Sequence, residues 1–249
     1  MNLLVNGCSH TAGDYENDWF RSSKLKRSWA SKLGNILNAK KVINLSLGGA
    51  SNKRIIRTTL EYLINNPKFS GPVIIAWTTH TRNEFTWHHS FFDRTPKGLL
   101  GGGVSGTEKK FGHWVLATNP HDGDTQQKSL KDFMTLYYKY SHCYDFEKEI
   151  FQQQLIMFES FLKDRGIDYY FFCALDNINF ESTYGKQLNN RRWISFGDDQ
   201  NSCDFLESNG FNKGYCKHFN HDGQLFLAQY LADHIESNSV LVDKYSHRS

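Results

Sequence analysis

The opening stretch MNLLVNGCSHTAG, residues 1–13, decides the fold. Leu3, Leu4 and Val5 are consecutive and apolar, too few for a helix, and they run straight into Gly7 and the polar residues Ser9, His10 and Thr11. That pattern predicts a strand buried on both faces and ended by a tight turn. Three more short runs repeat it: VINL (42–45), VIIAW (73–77) and YYFFCAL (169–175). Apolar stripes of helical period lie between them. Trp29, Leu33, Ile36 and Leu37 form one, and Ile56, Leu60, Leu63 and Ile64 a second. Phe151, Leu155, Phe158 and Leu162 form the longest, with Gly166 as its stop, and Leu227, Leu231 and Ile235 mark a last helix. Strands alternating with helices predict an α/β fold whose sheet of about five strands is mostly parallel and covered on both faces.

The 249 residues fit one domain, 1–249, and the 39% hydrophobic content supplies a sizeable core. A net charge of +3, from 29 basic and 26 acidic residues, argues against a dedicated nucleic-acid binder, which would concentrate Lys and Arg. No run of about 18 apolar residues predicts a membrane span, and residues 3–5 read as a strand rather than as part of a signal peptide. The five cysteines, Cys8, Cys143, Cys173, Cys203 and Cys216, are odd in number and lack close pairing, so they read as free thiols in a reducing compartment.

Residues 83–142 break the alternation with an aromatic and glycine-rich insertion that includes FTWHHSFFD (85–93) and GLLGGGVSG (98–106). An insertion of this length is expected to be a cap or recognition loop over the strand ends, its aromatics partly core and partly available to stack on sugar rings. GLLGGGVSG does not sit between a strand and a helix, so it reads as a flexible lid rather than a phosphate cradle. His88, His89, His218 and His221 follow no standard metal-ligand spacing, and no metal is expected. A second irregular stretch, 176–216, precedes the last helix.

Parallel sheets bind ligands at the carboxyl ends of their strands. Four segments fall there or lead into the last helix: Gly7-Cys8-Ser9-His10-Thr11, NLSLGGASN (44–52), WTTHTRNE (77–84) and HFNHDGQLFLA (218–228). Together they resemble the SGNH, or GDSL-like, hydrolases. The first block of that family reads Gly-Asp-Ser-x-Thr, matched here at Gly7, Ser9 and Thr11. Its second block is matched in spacing by Asn44, Gly49 and Ser51, and its last by His218, Gly223 and Ala228, which favours His218 over His221. Two positions depart from the pattern. Thr79 stands where the family has an oxyanion Asn, and Cys216 and Tyr215 stand where an Asp usually precedes the His.

The resemblance implies a flavodoxin-like three-layer α/β/α fold and a serine esterase that needs no cofactor. Ser9 would be the nucleophile and His218 the base, His being suited to take a hydroxyl proton near neutral pH. The backbone N–H groups of Ser9 and Gly49 would hold the oxyanion, with Thr79 or Asn83 as the third donor. His80, Arg82 and Asn83 are candidates to contact substrate. Asp198, Asp199 and Asp204 are available to support His218. Each residue also has a plainer reading: Ser9 and His218 as helix caps, Gly49 as a turn glycine with positive φ, His80 as an exposed loop residue, Arg82 and Glu84 as a surface pair.

The expected activity is removal of an acyl group, acetyl foremost, from a carbohydrate or related small ester. The alternatives are a non-catalytic SGNH-fold binding or structural protein and an acyltransferase using the same Ser–His pair. The lack of a signal-peptide pattern leads to the expectation of a cytoplasmic or virion-associated protein, and the Gly-Cys-Ser opening is similar to that of SGNH-like proteins of bacteriophages, which implies a phage origin.

Overall fold

The first strand, β1 (Asn2–Asn6), is flanked on both sides by parallel partners. The computed structural model describes residues 1–13, 27–87, 113–117, 132–133, 135–198, 201–214 and 218–246. After β1 come the one-turn helix α1 (Ser9–Ala12), α2 (Trp29–Ile36), β2 (Lys41–Asn44), α3 (Asn52–Asn65) and β3 (Val73–Trp77). The insertion then contributes β4 (Asn83–Trp87) and β5 (His113–Ala117). The chain continues through α4 (Tyr144–Asp164), β6 (Tyr169–Cys173), α5 (Ser202–Ser208) and α6 (His221–Ser246).

The main sheet has the order β2-β1-β3-β6, all parallel. The chain moves one way from β1 to β2 and the other way from β1 to β3, so the topological switch point lies between β1 and β3. Strand residues alternate between two cores as the pleat requires. Leu3, Val5, Ile74, Ala76, Tyr170 and Phe172 pack with Trp29 and Leu33 of α2, Leu206 of α5 and Leu227 and Leu231 of α6. Leu4, Val73, Ile75, Trp77 and Phe171 pack with Ile55 and Leu63 of α3 and Phe151, Leu155, Phe158 and Leu162 of α4. Full burial of each such side chain contributes about 1.5–3 kcal/mol. The result is the three-layer α/β/α arrangement the strand patterns predict.

Three details differ from the sequence reading. Among the described residues the sheet has four strands rather than five. Its far edge is extended only by a parallel bridge, Phe171 to Trp193, in which Ile194 N–H donates to the Phe171 carbonyl at 2.8 Å. In α3 the fully buried residues of the core face include Ile55, Thr59 and Leu63; of the expected stripe, Leu63 is buried, Ile56 and Leu60 pack half-buried against the core, and Ile64 alone faces solvent. Ile64 is 60% exposed, and the β1 residue Asn6 reaches the Ile55 carbonyl and Thr59 hydroxyl on the buried side of this helix. The second irregular stretch contains α5, fixed by Asn201, whose side-chain oxygen accepts from the N–H groups of Cys203 and Asp204.

In the insertion, β4 and β5 form a separate antiparallel ribbon, register Asn83–Ala117 to Trp87–His113. The GLLGGGVSG stretch, His88 and His89 lie outside the described residues, as do Asp199, Tyr215 and Cys216. No described helix is long and apolar enough to cross a membrane.

Candidate active site

Asn6, fully buried at the end of β1, anchors the turn that carries Ser9. Its amide nitrogen lies within hydrogen-bond reach of the Ile55 carbonyl (3.1 Å) and the Thr58 and Thr59 hydroxyls (2.9 Å each). Its oxygen accepts from Gly7 N–H at 2.9 Å. The strand end is thus tied to α3 just before the chain turns. Gly7 is not among the glycines of positive φ. It is required for space, since a Cβ there would overlap the Thr11 hydroxyl and sit 3.1 Å from the Ala76 carbonyl oxygen. Cys8 occupies the N-cap of α1, its carbonyl accepting from Thr11 and Ala12, and Gly13 closes the turn at φ 81°. Ser9 is therefore the first residue of the helix and not its cap.

The loop after β2 lies along this turn. Leu45 N–H donates to the Val5 carbonyl at 2.9 Å and Leu47 N–H to that of Gly7 at 3.3 Å. Asn44 donates to the Thr11 carbonyl at 3.2 Å while its oxygen accepts from Ser46 N–H. Gly49, two residues past Leu47, has φ 73°, the left-handed conformation that favours glycine. Ser51 then caps α3 by accepting from Arg54 N–H at 3.1 Å.

Past β3, Asn52 holds Thr78 from both sides, accepting from its N–H at 2.9 Å and donating to its carbonyl at 3.0 Å. Thr79 shares a hydrogen bond with the Thr81 hydroxyl at 3.0 Å. His80 is not an exposed loop residue: it is 4% exposed, packs on Phe151, and its backbone N–H donates to Asp176 at 2.8 Å. Burial lowers its pKa, with Asp176 opposing. Asn83 is buried and its amide is engaged at both ends, donating to Tyr137 at 2.8 Å and accepting from Lys53 at 2.7 Å. Its side chain fastens the ribbon to α3 and leaves little for substrate or oxyanion. Arg82 does not pair with Glu84. Glu84 takes a two-point contact from Arg57 (3.1 and 2.8 Å), while Arg82 donates to the Thr78 hydroxyl at 2.7 Å.

The segment before α6 returns to the β1 turn. The His10 and His218 rings meet at a centroid distance of 4.6 Å. The cap of α6 is Asn220, whose side chain accepts from Gly223 N–H at 3.0 Å, so His218 is not a capping residue. His221 turns away to Lys32, 3.0 Å distant. Of the aspartates named as possible supports, Asp204 accepts from Asn201 at 2.7 Å and Asp198 lines a separate cleft beside Trp193 and Phe196.

His10 is held down to about 3 by burial first, then by the neighbouring His218, Arg82 and Lys213, so its ring is neutral at physiological pH. The Cys203 sulfur lies 3.6 Å from His10 Nδ1, and burial pushes that thiol up to about 12, leaving it an S–H group. Nothing in the residue pattern singled out His10, Asn6 or Asn52, although all three lie within or beside the quoted blocks. Their roles depend on partners far away in sequence.

The model of a family described as "Family of unknown function (DUF6071)" matches residues 11–245. No curated protein matches the chain. Among solved structures, the psychrotrophic esterase EstA from Pseudoalteromonas sp. is similar at 12% identity and TM-score 0.47, over 95% of this chain and 97% of its own. A catalytic mutant of Axe2, an acetylxylan esterase from Geobacillus stearothermophilus, is similar at 11% identity and TM-score 0.48, over 94% and 93%. TesA is similar at 12% identity and TM-score 0.47, over 96% and 99%.

Proposed function

The chain belongs to DUF6071, a family of unknown function, and we propose that it is a serine ester hydrolase acting through Ser9 and His218. The observation that carries this reading is the meeting of His10 with His218, which brings the histidine of the last block to the residue beside Ser9. The place also suits it: Ser9 follows β1 at the sheet's switch point.

In this reading His218 removes the Ser9 hydroxyl proton as the oxygen attacks the ester carbonyl. The backbone N–H groups of Ser9 and Gly49 stabilise the oxyanion. Collapse of the tetrahedral intermediate expels the alcohol, which takes its proton from His218, and water then releases the acid by the same path in reverse. Thr79 is the remaining candidate third donor, with its hydroxyl turned to Thr81. A missing donor costs about 2.7–4 kcal/mol of transition-state stabilisation, so turnover is slow. The substrate is an acyl ester, acetyl foremost, of a carbohydrate or small molecule.

Ser9→Ala decides the matter. The variant retains its fold and loses hydrolysis of p-nitrophenyl acetate; equal slow rates in variant and wild type would refute the proposal. The engagement of the Asn83 and Thr79 side chains favours a second reading, a binding protein on the same frame. That reading gains from the same negative result.

A further inference from the structure

The charges around this site are unevenly balanced. Arg57 is paired with Glu84 and Glu61, Lys53 with Glu147, Arg192 with Asp168 and Lys213 with Glu207. Arg82 is half-buried at the carboxyl end of the sheet and has no carboxylate partner among the described residues. The nearby acids are engaged elsewhere: Glu84 by Arg57, Glu147 by Lys53 and Tyr137, and Asp176 by the backbone of His80.

Arg82 is also held in place. Its Nη1 donates to the Thr78 hydroxyl, and Thr78 is clamped through both backbone groups by Asn52. β1 and β3 are adjacent and parallel, Asn6 opposite Ile75, so the turn that carries Ser9 and the segment that begins at Thr78 both leave the carboxyl ends of neighbouring strands. The cation is close enough to the turn to act on His10, the residue after Ser9. A guanidinium fixed at one nitrogen still presents donors in a fork that matches a carboxylate or phosphate.

We infer that Arg82 binds a negatively charged group of the substrate, which makes the substrate class an anionic ester, one whose acyl or alcohol part carries a carboxylate or phosphate. The reaction in this statement rests on the hydrolase reading above; the binding of the anion does not.

Three esters separate the possibilities: neutral p-nitrophenyl acetate, mono-p-nitrophenyl succinate with the charge on the acyl side, and 4-acetoxybenzoate with the charge on the alcohol side. Wild type should prefer one charged ester to the neutral one. Arg82→Gln should lower kcat/KM for that ester at least ten-fold relative to p-nitrophenyl acetate, chiefly through KM, and Arg82→Lys should recover part of it. Without any variant, the wild-type KM for the charged ester should rise with added sodium chloride while that for the neutral ester stays level. Equal losses on all three esters in Arg82→Gln, or no preference in wild type, would overturn the inference and leave the hydrolase reading intact. If no ester is cleaved faster than by Ser9→Ala, the hydrolase reading fails. Calorimetric titration with 4-acetoxybenzoate and with mono-p-nitrophenyl succinate then decides the anion site alone. Binding of either that is lost in Arg82→Gln upholds it; binding equal in both proteins, or absent from wild type, overturns it.

Discussion

His10 and His218 stand ring against ring, 4.6 Å between centroids and 49° between planes, joining the first turn of the chain to the segment before its last helix. His10 also touches the Cys203 thiol, so three segments distant in sequence converge on the residue after Ser9. This convergence gives the site its shape and its electrostatics.

If His218 is the base, His218→Gln should lower kcat for p-nitrophenyl acetate by about 10²–10⁴-fold, the usual contribution of a positioned acid–base group. His221→Gln, at a residue turned to Lys32, should change kcat little. Steady-state kinetics of the two variants check the assignment, and a larger loss in His221→Gln would reverse it.

Acid should destabilise the fold through His10. Its pKa falls from 6.5 to about 3 in the folded chain, so the unfolded chain binds a proton that the fold refuses across that interval. Stability from this group is fully present above pH 6.5 and declines as pH drops toward 3, by up to about 1.4 kcal/mol per unit. His80 and His234, lowered by burial, act in the same direction. Urea midpoints measured from pH 8 to 4 should fall, and more gently in His10→Gln; parallel slopes would remove His10 from this account.

Asn6→Ala should cost about 2–3 kcal/mol in urea unfolding. The substitution strands the Gly7 N–H and the Ile55 carbonyl region in a site that water does not reach. It should also reduce activity, because the same side chain ties the Ser9 turn to α3. A change below about 0.5 kcal/mol would contradict the anchoring role.

Gly7→Ala should destabilise by about 1–3 kcal/mol through overpacking, since the new methyl overlaps the Thr11 hydroxyl. Thr11→Ala removes the nearer obstructing atom, the hydroxyl oxygen, and leaves the Thr11 Cβ at 2.8 Å, so the double variant should recover part of the loss and be more stable than the sum of the single effects. Strict additivity in thermal or urea unfolding would show that the overlap is not the cause.

Much of the fold was legible in local pattern. LLV, VIIAW and YYFF are too short and too continuously apolar for anything but strands covered on both faces, and all became buried parallel strands. Phe151, Leu155, Phe158 and Leu162 repeat at helical period and form the buried face of α4. The stripe through Ile56, Leu60, Leu63 and Ile64 held except at Ile64, and it missed that Ile55 and Thr59 share the buried face, where Asn6 of β1 makes polar contacts that hydrophobic periodicity does not register. The five-strand expectation stopped at four described strands because residues 193–194 contribute only a bridge at the open edge.

The sequence by itself determined the four strands of the main sheet, most helices and the four segments placed at or near the strand ends, because each of these follows from neighbouring residues and a repeating period; the β4–β5 ribbon inside the insertion was not among them. Only the tertiary structure decided that His218 faces the Ser9 turn while His221 faces Lys32, that Asn83 is enclosed, and that Arg82 is left without the carboxylate its sequence neighbour Glu84 seemed to offer. Those outcomes turn on which distant side chain reaches a partner first, a competition among contacts far apart in sequence that no local pattern encodes.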